Sequence, residues 1–279
     1  MTTSAKTAAT NAPGELAERF ARLHDTPALV LPNAWDVASA RLVEQAGAAA
    51  IATTSAGVAW ALGSQDGNAV DRDLALSVVA RIVAAVGVPV TADIENGFGE
   101  SDDELAATIR GVLHAGAVGI NIEDSGFAPL RPMAEQAARL RIIREVAGRQ
   151  LFINARIDTY LMAAGEPQDR LGETLRRSEA YLAAGADGIF VPGLHDLQVL
   201  AQLVAAVPAP LNVLAGAGGP TVTQFADIGV RRISAGSSLA QAAYDVVSRA
   251  AHELLTGGTY AALDCTVDYG QLNALLAPR

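Results

Sequence analysis

Asp93 and Glu95 stand two residues apart at the end of a short apolar run, and Glu123 ends the next such run. Residues i and i+2 of an extended strand face the same way, so Asp93 and Glu95 share a face. Three carboxylates gathered at one place repel each other unless they are protonated or share a cation. Hard oxygen donors of this kind suit Mg2+, or Mn2+ in its place, held partly through water. The competing assignment is that these acids cap helices or pair with arginines, which fits any one of them better than the set. Arg156 and Asp158 repeat the two-residue spacing. Arg156 suits a substrate carboxylate gripped through two parallel hydrogen bonds; its alternative is an ion pair with Glu123 or Asp158. Thr54, Ser55 and Ala56 offer hydroxyl and backbone N–H donors for a carboxylate or phosphonate, or form an ordinary polar turn.

The elements that must position these residues are marked by a recurring phrase. Gly47, Gly116, Gly185 and Gly229 each lie four residues before an isoleucine. A glycine after a helix supplies the left-handed position that stops it, and the apolar run that follows is the next strand. Eight strands are expected, at 28–31, 49–54, 90–93, 119–123, 151–156, 188–191, 211–214 and 232–235. They are short and non-alternating, as strands buried on both faces are. Helices are expected between them, for example at 71–86, 102–115, 132–146 and 169–184. This alternation predicts an α/β fold with a parallel sheet, and eight repeats favour a (β/α)8 TIM barrel with extra C-terminal helices from residue 239 on. In such barrels the chemistry sits at the C-terminal ends of the strands. Polar residues concentrate there on strands three to five.

Other reactive side chains receive plainer expectations. His114 falls at the wrong end of the barrel, His195 lies in a loop past strand six, and His24 and His252 carry no role. Cys265, outside the barrel proper, is expected to be a buried, inert thiol. The run Gly216-Ala-Gly-Gly-Pro220 is compatible with a phosphate-cradling loop, but it carries no fingerprint.

Composition excludes several classes. The chain of 279 residues is 51% hydrophobic, carries a net charge of -10 and fits one domain. We expect a disordered tail at 1–13 and a single barrel domain at 14–279. The tail lacks the apolar region of a signal peptide and no apolar run spans a bilayer, so a cytoplasmic protein without membrane partners is expected. Arginines are scattered, which argues against nucleic acid. One cysteine, Cys265, rules out an intrachain disulfide framework, and one lysine, Lys6, lies in the tail. Schiff-base, pyridoxal phosphate and Walker-type chemistry all need a lysine inside the fold.

Taken together, Thr53-Thr-Ser-Ala-Gly57 with Leu62, Gly63 and Asp66, then Ala92-Asp-Ile-Glu-Asn-Gly-Phe-Gly99, Gly119-Ile-Asn-Ile-Glu-Asp124 and Asn154-Ala-Arg-Ile-Asp158, resemble the isocitrate lyase/phosphoenolpyruvate mutase superfamily in order and spacing. The resemblance implies Asp93 as the main direct Mg2+ ligand. Asp66, Glu95 and Glu123 would bind the ion directly or through water. It further implies that Thr54, Ser55 and Ala56 hold the substrate carboxylate and Arg156 the group opposite. It also implies a homotetramer, a dimer of dimers that exchanges its last barrel helix, and small 2-oxo or 2-hydroxy di- and tricarboxylates or phosphonates as substrates.

The departures matter as much. Lyases of this superfamily carry Lys-Lys-Cys-Gly-His after Ile-Glu-Asp, with the cysteine as acid. Here residues 125–133 contain no Cys, Lys or His, and Arg131 is the only basic residue. The lysine of the phosphonate enzymes is missing from the same loop. Decarboxylation of an oxaloacetate-like 2-oxo diacid through an enolate asks least of the protein, because carbon dioxide leaves without a proton donor. Retro-aldol cleavage of a 2-methylisocitrate type is second and needs an acid and a base; Tyr160, or a water on Glu123, is the available choice. Hydrolysis or mutation of a P–C bond is third. A metabolite-binding barrel without turnover is the non-enzyme alternative.

Overall fold

The computed structural model describes residues 13–25, 28–125 and 130–277. Residues 1–12 of the expected tail lie outside them; Pro13 opens α1 (Pro13–Arg22). Nine parallel strands follow: β1 (Leu29–Leu31), β2 (Asn33–Ala34), β3 (Ile51–Thr53), β4 (Val90–Asp93), β5 (Gly119–Glu123), β6 (Phe152–Arg156), β7 (Gly188–Phe190), β8 (Leu211–Leu214) and β9 (Arg232–Ser234). The sheet runs β1-β9-β8-β7-β6-β5-β4-β3-β2.

The ninth strand is a two-residue addition, Asn33–Ala34, just past the expected first strand. Proline donates no N–H to a ladder, and Pro32 separates β1, which pairs with β9, from β2, which pairs with β3. One stretch of chain therefore touches both ends of the sheet and closes the barrel. Asn33 sews this seam. Its Nδ2 donates to Thr53 O at 2.8 Å, while its Oδ1 accepts from Ala235 N at 2.9 Å and Gly236 N at 2.8 Å.

Helices alternate with the strands: α2 (Val37–Gln45), α3 (Ser55–Ala61), α4 (Arg72–Ala85), α5 (Asp102–Ala115), α6 (Met133–Ala147), α7 (Arg170–Ala183), α8 (Leu197–Ala206) and α9 (Val222–Asp227). The four glycines of the recurring phrase have φ between 83° and 108°, as helix-stopping positions require. One apolar cluster between strands and helices includes Ile109, Ile120, Leu140, Ile153 and Leu203, all fully buried. A second closes the floor of the barrel. There the His24 ring stacks on Phe152 at 4.1 Å and Phe20 meets Phe152 edge-on at 5.7 Å.

After β9 the chain forms α10 (Ser238–Thr256) and α11 (Tyr269–Leu276). Only Ala240 and Ala250 of α10 are buried. Val247 and Leu255 are 65% and 87% exposed. Cys265 is also exposed, not buried as expected. The reason is its place in the extension beyond α10, which offers no core to enter.

Candidate active site

Three of the sequence-predicted acids meet at the strand ends. Asp93 closes β4 and pairs in register with Asn121, not with Glu123. Glu95, just past the strand, is level with Glu123, whose N–H donates to Glu95 O at 2.9 Å. Ser55, first residue of α3, donates to Asp93 Oδ2 through both N–H (3.4 Å) and Oγ (3.2 Å). Glu95 N donates to Asp93 Oδ1 at 3.3 Å, and the Glu95 carboxylate accepts from Asn68 N.

The acids pay for burial in basicity. Burial pushes Asp93 up, opposed chiefly by the Arg156 charge, with Asp66 adding to the rise. Glu95 is pushed up to about 7, first by burial and then by the charges of Asp93 and Asp66, against the Asn68 N–H. Burial also pushes Glu123 up, against Arg156 and with Asp158 and Asp93. The influence of Asp66 on both Asp93 and Glu95 brings this exposed residue to the cluster. Backbone shape points to the same place. Of the four non-glycine residues with left-handed φ among the described residues, three surround the cluster: Asn68 (61°), Glu95 (52°) and Phe98 (53°). Such positions cost on the order of 1–3 kcal/mol and persist where the surroundings hold them.

Arg156 ends β6 opposite Glu123. Its Nη1 lies 2.6 Å from Glu123 Oε2 and its Nε donates to Asp158 Oδ1 at 2.7 Å. The guanidinium therefore makes both ion pairs that the sequence offered as alternatives to substrate binding. It also lies 5.9 Å from the centroid of the Phe190 ring. Glu123 Oε1 accepts from Ser125 Oγ at 2.8 Å. Thr54 caps α3, its side chain accepting from Gly57 N at 3.5 Å, so Thr54, Ser55 and Ala56 form a short helix start beside Asp93.

Sequence reasoning missed the support beneath this row. Asp124, fully buried, accepts from Asp158 N (3.0 Å), Arg177 Nη1 (2.9 Å) and Tyr181 Oη (2.8 Å). It thereby ties the end of β5 to the turn after β6 and to α7. Inside the barrel, Asn121 Oδ1 accepts from Asn154 Nδ2 at 2.8 Å and Arg232 Nη2 at 3.0 Å. The Ile-Glu-Asp and Asn-x-Arg spacings carried a signal for Asp124 and Asn154. Nothing local marks Arg177, Tyr181 or Arg232, whose partners lie 53 to 111 residues away.

Other candidates stand apart. The charges that act on the Tyr160 hydroxyl are those of Arg170 and Asp196, not those of the acidic cluster. His195 is exposed and borders an open cavity of about 580 Å3 with residues 216–220 and Gln224. His114 is exposed in the last turn of α5, and His252 is exposed on α10. His24 belongs to the floor, where burial, then the Arg232 charge, pushes its imidazole down to about 3. Of residues 125–133, Gly126, Phe127, Ala128 and Pro129 lie outside the described residues. Arg131 is buried and pairs with Glu135 and, at 3.6 Å, with Glu100.

The donor set suits Mg2+ in kind. Burial disfavours the charged form of Asp93, Glu95 and Glu123 alike, and a cation relieves that cost. Two buried oxygens at the site, Asn68 Oδ1 and Asp158 Oδ2, find no hydrogen-bond partner among the described residues, which suits a hydrated ion. Among the described residues no group of three or more His, Cys, Asp or Glu side chains forms a ready-made metal cage. An ion held here would have to take much of its coordination from water, as Mg2+ does.

Comparison with known proteins agrees with this picture. Residues 20–255 match the phosphoenolpyruvate phosphomutase family, and the chain belongs to it, within the isocitrate lyase/phosphoenolpyruvate mutase superfamily. A solved structure from Burkholderia cenocepacia J2315, described as a lyase/mutase, is 39% identical, with a TM-score of 0.87 over 95% of this chain and 97% of that one. Oxaloacetate decarboxylase of Ectopseudomonas mendocina is 31% identical over 63% of this chain and 60% of its own. 2-Methylisocitrate lyase of Bacillus subtilis is 30% identical over 71% of this chain and 66% of its own. Members of the superfamily are C–C lyases or mutases.

Proposed function

We propose, taking membership of this family as the premise, that the chain is a Mg2+-dependent lyase that decarboxylates a small 2-oxo diacid of the oxaloacetate type. The observation that carries this reading is the buried row Asp93, Glu95 and Glu123 facing Arg156, beside a loop without the family's Lys, Cys or His. The likeness to an oxaloacetate decarboxylase supports it.

Asp93 would hold the ion most directly, with Glu95, Glu123 and Asp66 on its waters. Bound Mg2+ supplies Lewis acidity toward the charge that builds on a 2-oxo oxygen. Ser55, with Thr54 and Ala56 at the start of α3, would orient one substrate carboxylate by its N–H and hydroxyl donors. Arg156 would hold the carboxylate opposite. Its pairs with Glu123 and Asp158 fix the guanidinium plane before substrate arrives, so little side-chain freedom is lost on binding. Phe190, 5.9 Å from the Arg156 guanidinium, and the buried strand ends would keep bulk water from a substrate held there. Protonation of the product carbon would be left to water, since the charges that act on the Tyr160 hydroxyl are those of Arg170 and Asp196, not those of the cluster.

One observation favours retro-aldol cleavage of a 2-methylisocitrate type as the second reading. Ser125 Oγ sits 2.8 Å from Glu123 Oε1, a hydroxyl and carboxylate in proton-transfer contact. A screen of oxaloacetate, 2-methylisocitrate and phosphonopyruvate with Mg2+ separates the readings. Turnover of oxaloacetate alone is expected. Turnover of 2-methylisocitrate alone selects the second reading, and turnover of none removes the lyase.

The exposed apolar residues of α10, among them Tyr244, Val247 and Leu255, support a homo-oligomer in which this helix packs on a neighbouring copy. A tetramer is expected by sedimentation; a monomer contradicts it. No helix of the described residues is long and apolar enough to cross a membrane, which is compatible with a cytoplasmic enzyme.

A further inference from the structure

We propose that Arg139 is a positioning residue that sets the loop after β4 and, through it, the placement of Glu95; the proposal rests on the metal-site reading above. The loop needs such a device. Within residues 95–98, Glu95, Gly97 and Phe98 have φ of 52°, 104° and 53°. Left-handed backbone is unfavourable for side-chain-bearing residues, so a free loop of this sequence would relax away from the shape. The shape sets the spacing of the acids. Glu95 N donates to Asp93 Oδ1, Glu95 O accepts from Glu123 N, and the Glu95 carboxylate accepts from Asn68 N.

Two helices grip the loop from outside. Thr108 Oγ1 of α5 donates to Gly97 O at 2.9 Å. From α6, Arg139 Nη2 donates to Asn96 O at 2.7 Å and Gly99 O at 2.9 Å, and Nη1 donates to Glu100 O at 3.3 Å. Arg139 is only 3% exposed. Burying an arginine is costly, and here the hydrogen bonds go to backbone carbonyls of one loop. The planar fork of a guanidinium reaches three carbonyls at once; an ammonium cannot. The fit is tight, since a Cβ on Gly97 would come within 3.1 Å of Arg139 Nη2 and 2.6 Å of Leu105 Cδ1.

The same helix carries its own control. Arg144, five residues on, donates to Gly185 O from Nε (3.0 Å) and Nη2 (2.8 Å) and to Leu151 O at 3.2 Å. It grips these carbonyls and the Asp187 carboxylate at the floor of the barrel, at the opposite end from Asp93, Glu95 and Glu123. A purely structural role predicts that the two arginines behave alike.

Mn2+ titration calorimetry on the full chain, with thermal melts alongside, tests the assignment. Arg139→Lys is expected to weaken Mn2+ binding by about 10-fold or more, the usual effect of losing an outer-shell support. Arg144→Lys is expected to lower Tm and leave Mn2+ affinity unchanged. Thr108→Val, a smaller lesion in the same grip, should weaken binding to a lesser degree and gives the answer if Arg139→Lys does not fold. Wild-type Mn2+ affinity in both Arg139→Lys and Thr108→Val, with only Tm reduced, overturns the Arg139 role and leaves the metal site standing. If the wild-type chain itself takes up no Mn2+, the metal reading and this assignment fall together.

Discussion

At the floor of the barrel Asp187 pairs with Arg144 and accepts from Ile153 N at 2.8 Å, beside a stack of Phe20, His24 and Phe152. At the mouth, Asp93, Glu95 and Glu123 crowd together beside the guanidinium of Arg156, and the loop after β4 is bent through left-handed backbone. The floor pairs Asp187 with Arg144 and packs its aromatic rings together, with only a neutral imidazole nitrogen, His24 Nε2, left without a hydrogen-bond partner among the groups named there. The mouth keeps desolvated like charges in place at a cost. Such an arrangement adds nothing to stability, and the difference fits the division of labour in barrels of this type, with binding at the mouth as proposed above and cohesion at the floor.

The largest expected effect breaks the mouth. Asp93→Ala should abolish the Mn2+ isotherm and reduce turnover by about 1,000-fold or more, the scale of removing a central electrostatic group, while the chain stays folded by circular dichroism. An unchanged isotherm would remove Asp93 from the site. Next, Arg156→Met should lower kcat/KM by about 100-fold with Mn2+ still bound, as loss of a charge-assisted carboxylate contact does. Loss of Mn2+ binding instead would mean that Arg156 serves only to hold Glu123.

A lesion at the floor sharpens the contrast. Phe20→Ala should cost about 3–5 kcal/mol of stability, as large aromatic truncations in cores do, read by urea unfolding. Mn2+ affinity of the protein that remains folded should not change; a parallel loss would show that the two ends are coupled.

The smallest effect concerns pH. Glu95 is raised from 4.5 to about 7 by burial, so the folded, metal-free chain binds a proton that the unfolded chain releases. This contribution is fully present below about pH 4.5 and is lost as pH rises through 7. His24 works oppositely: its folded value of about 3 against 6.5 gives stability that is present above 6.5 and lost on acidification. Comparing Glu95→Gln with wild type cancels the histidine. The metal-free variant should gain stability relative to wild type as pH rises from 5 to 8, by on the order of 2 kcal/mol. Saturating Mn2+ should reverse the order at pH 8, because only the wild type retains the full donor set. A pH-independent difference would mean that Glu95 is ionised throughout.

Much of the mouth was legible because its acids sit in short motifs with strand periodicity. The Gly-to-Ile phrase marked four strands, and Asp102–Ala115 was read without error because Ser101 and Gly116 punctuate it chemically. The count of strands differs because the polar stretch after Pro32, expected to be a loop, pairs with β3 through Asn33 and Ala34. Depth is not read from such spacing: Asp93 registers with Asn121, and Glu95 O is level with Glu123 N. Long-range polar pairs such as Asp124 with Arg177 and Tyr181 have no local signature, since helices and strands far apart in the chain must pack first. Cys265 was misplaced because burial was inferred from residue type, and the segment around it has no core of its own.

Metal-assisted carbon–carbon cleavage at the mouth is the central proposal. Following oxaloacetate loss, with the background from Mg2+ alone subtracted, addresses it most directly. Turnover that EDTA abolishes, that Mg2+ or Mn2+ restores, and that Asp93→Ala lacks is the predicted result. A wild-type rate equal to the Mg2+ background, or turnover indifferent to EDTA, would contradict it.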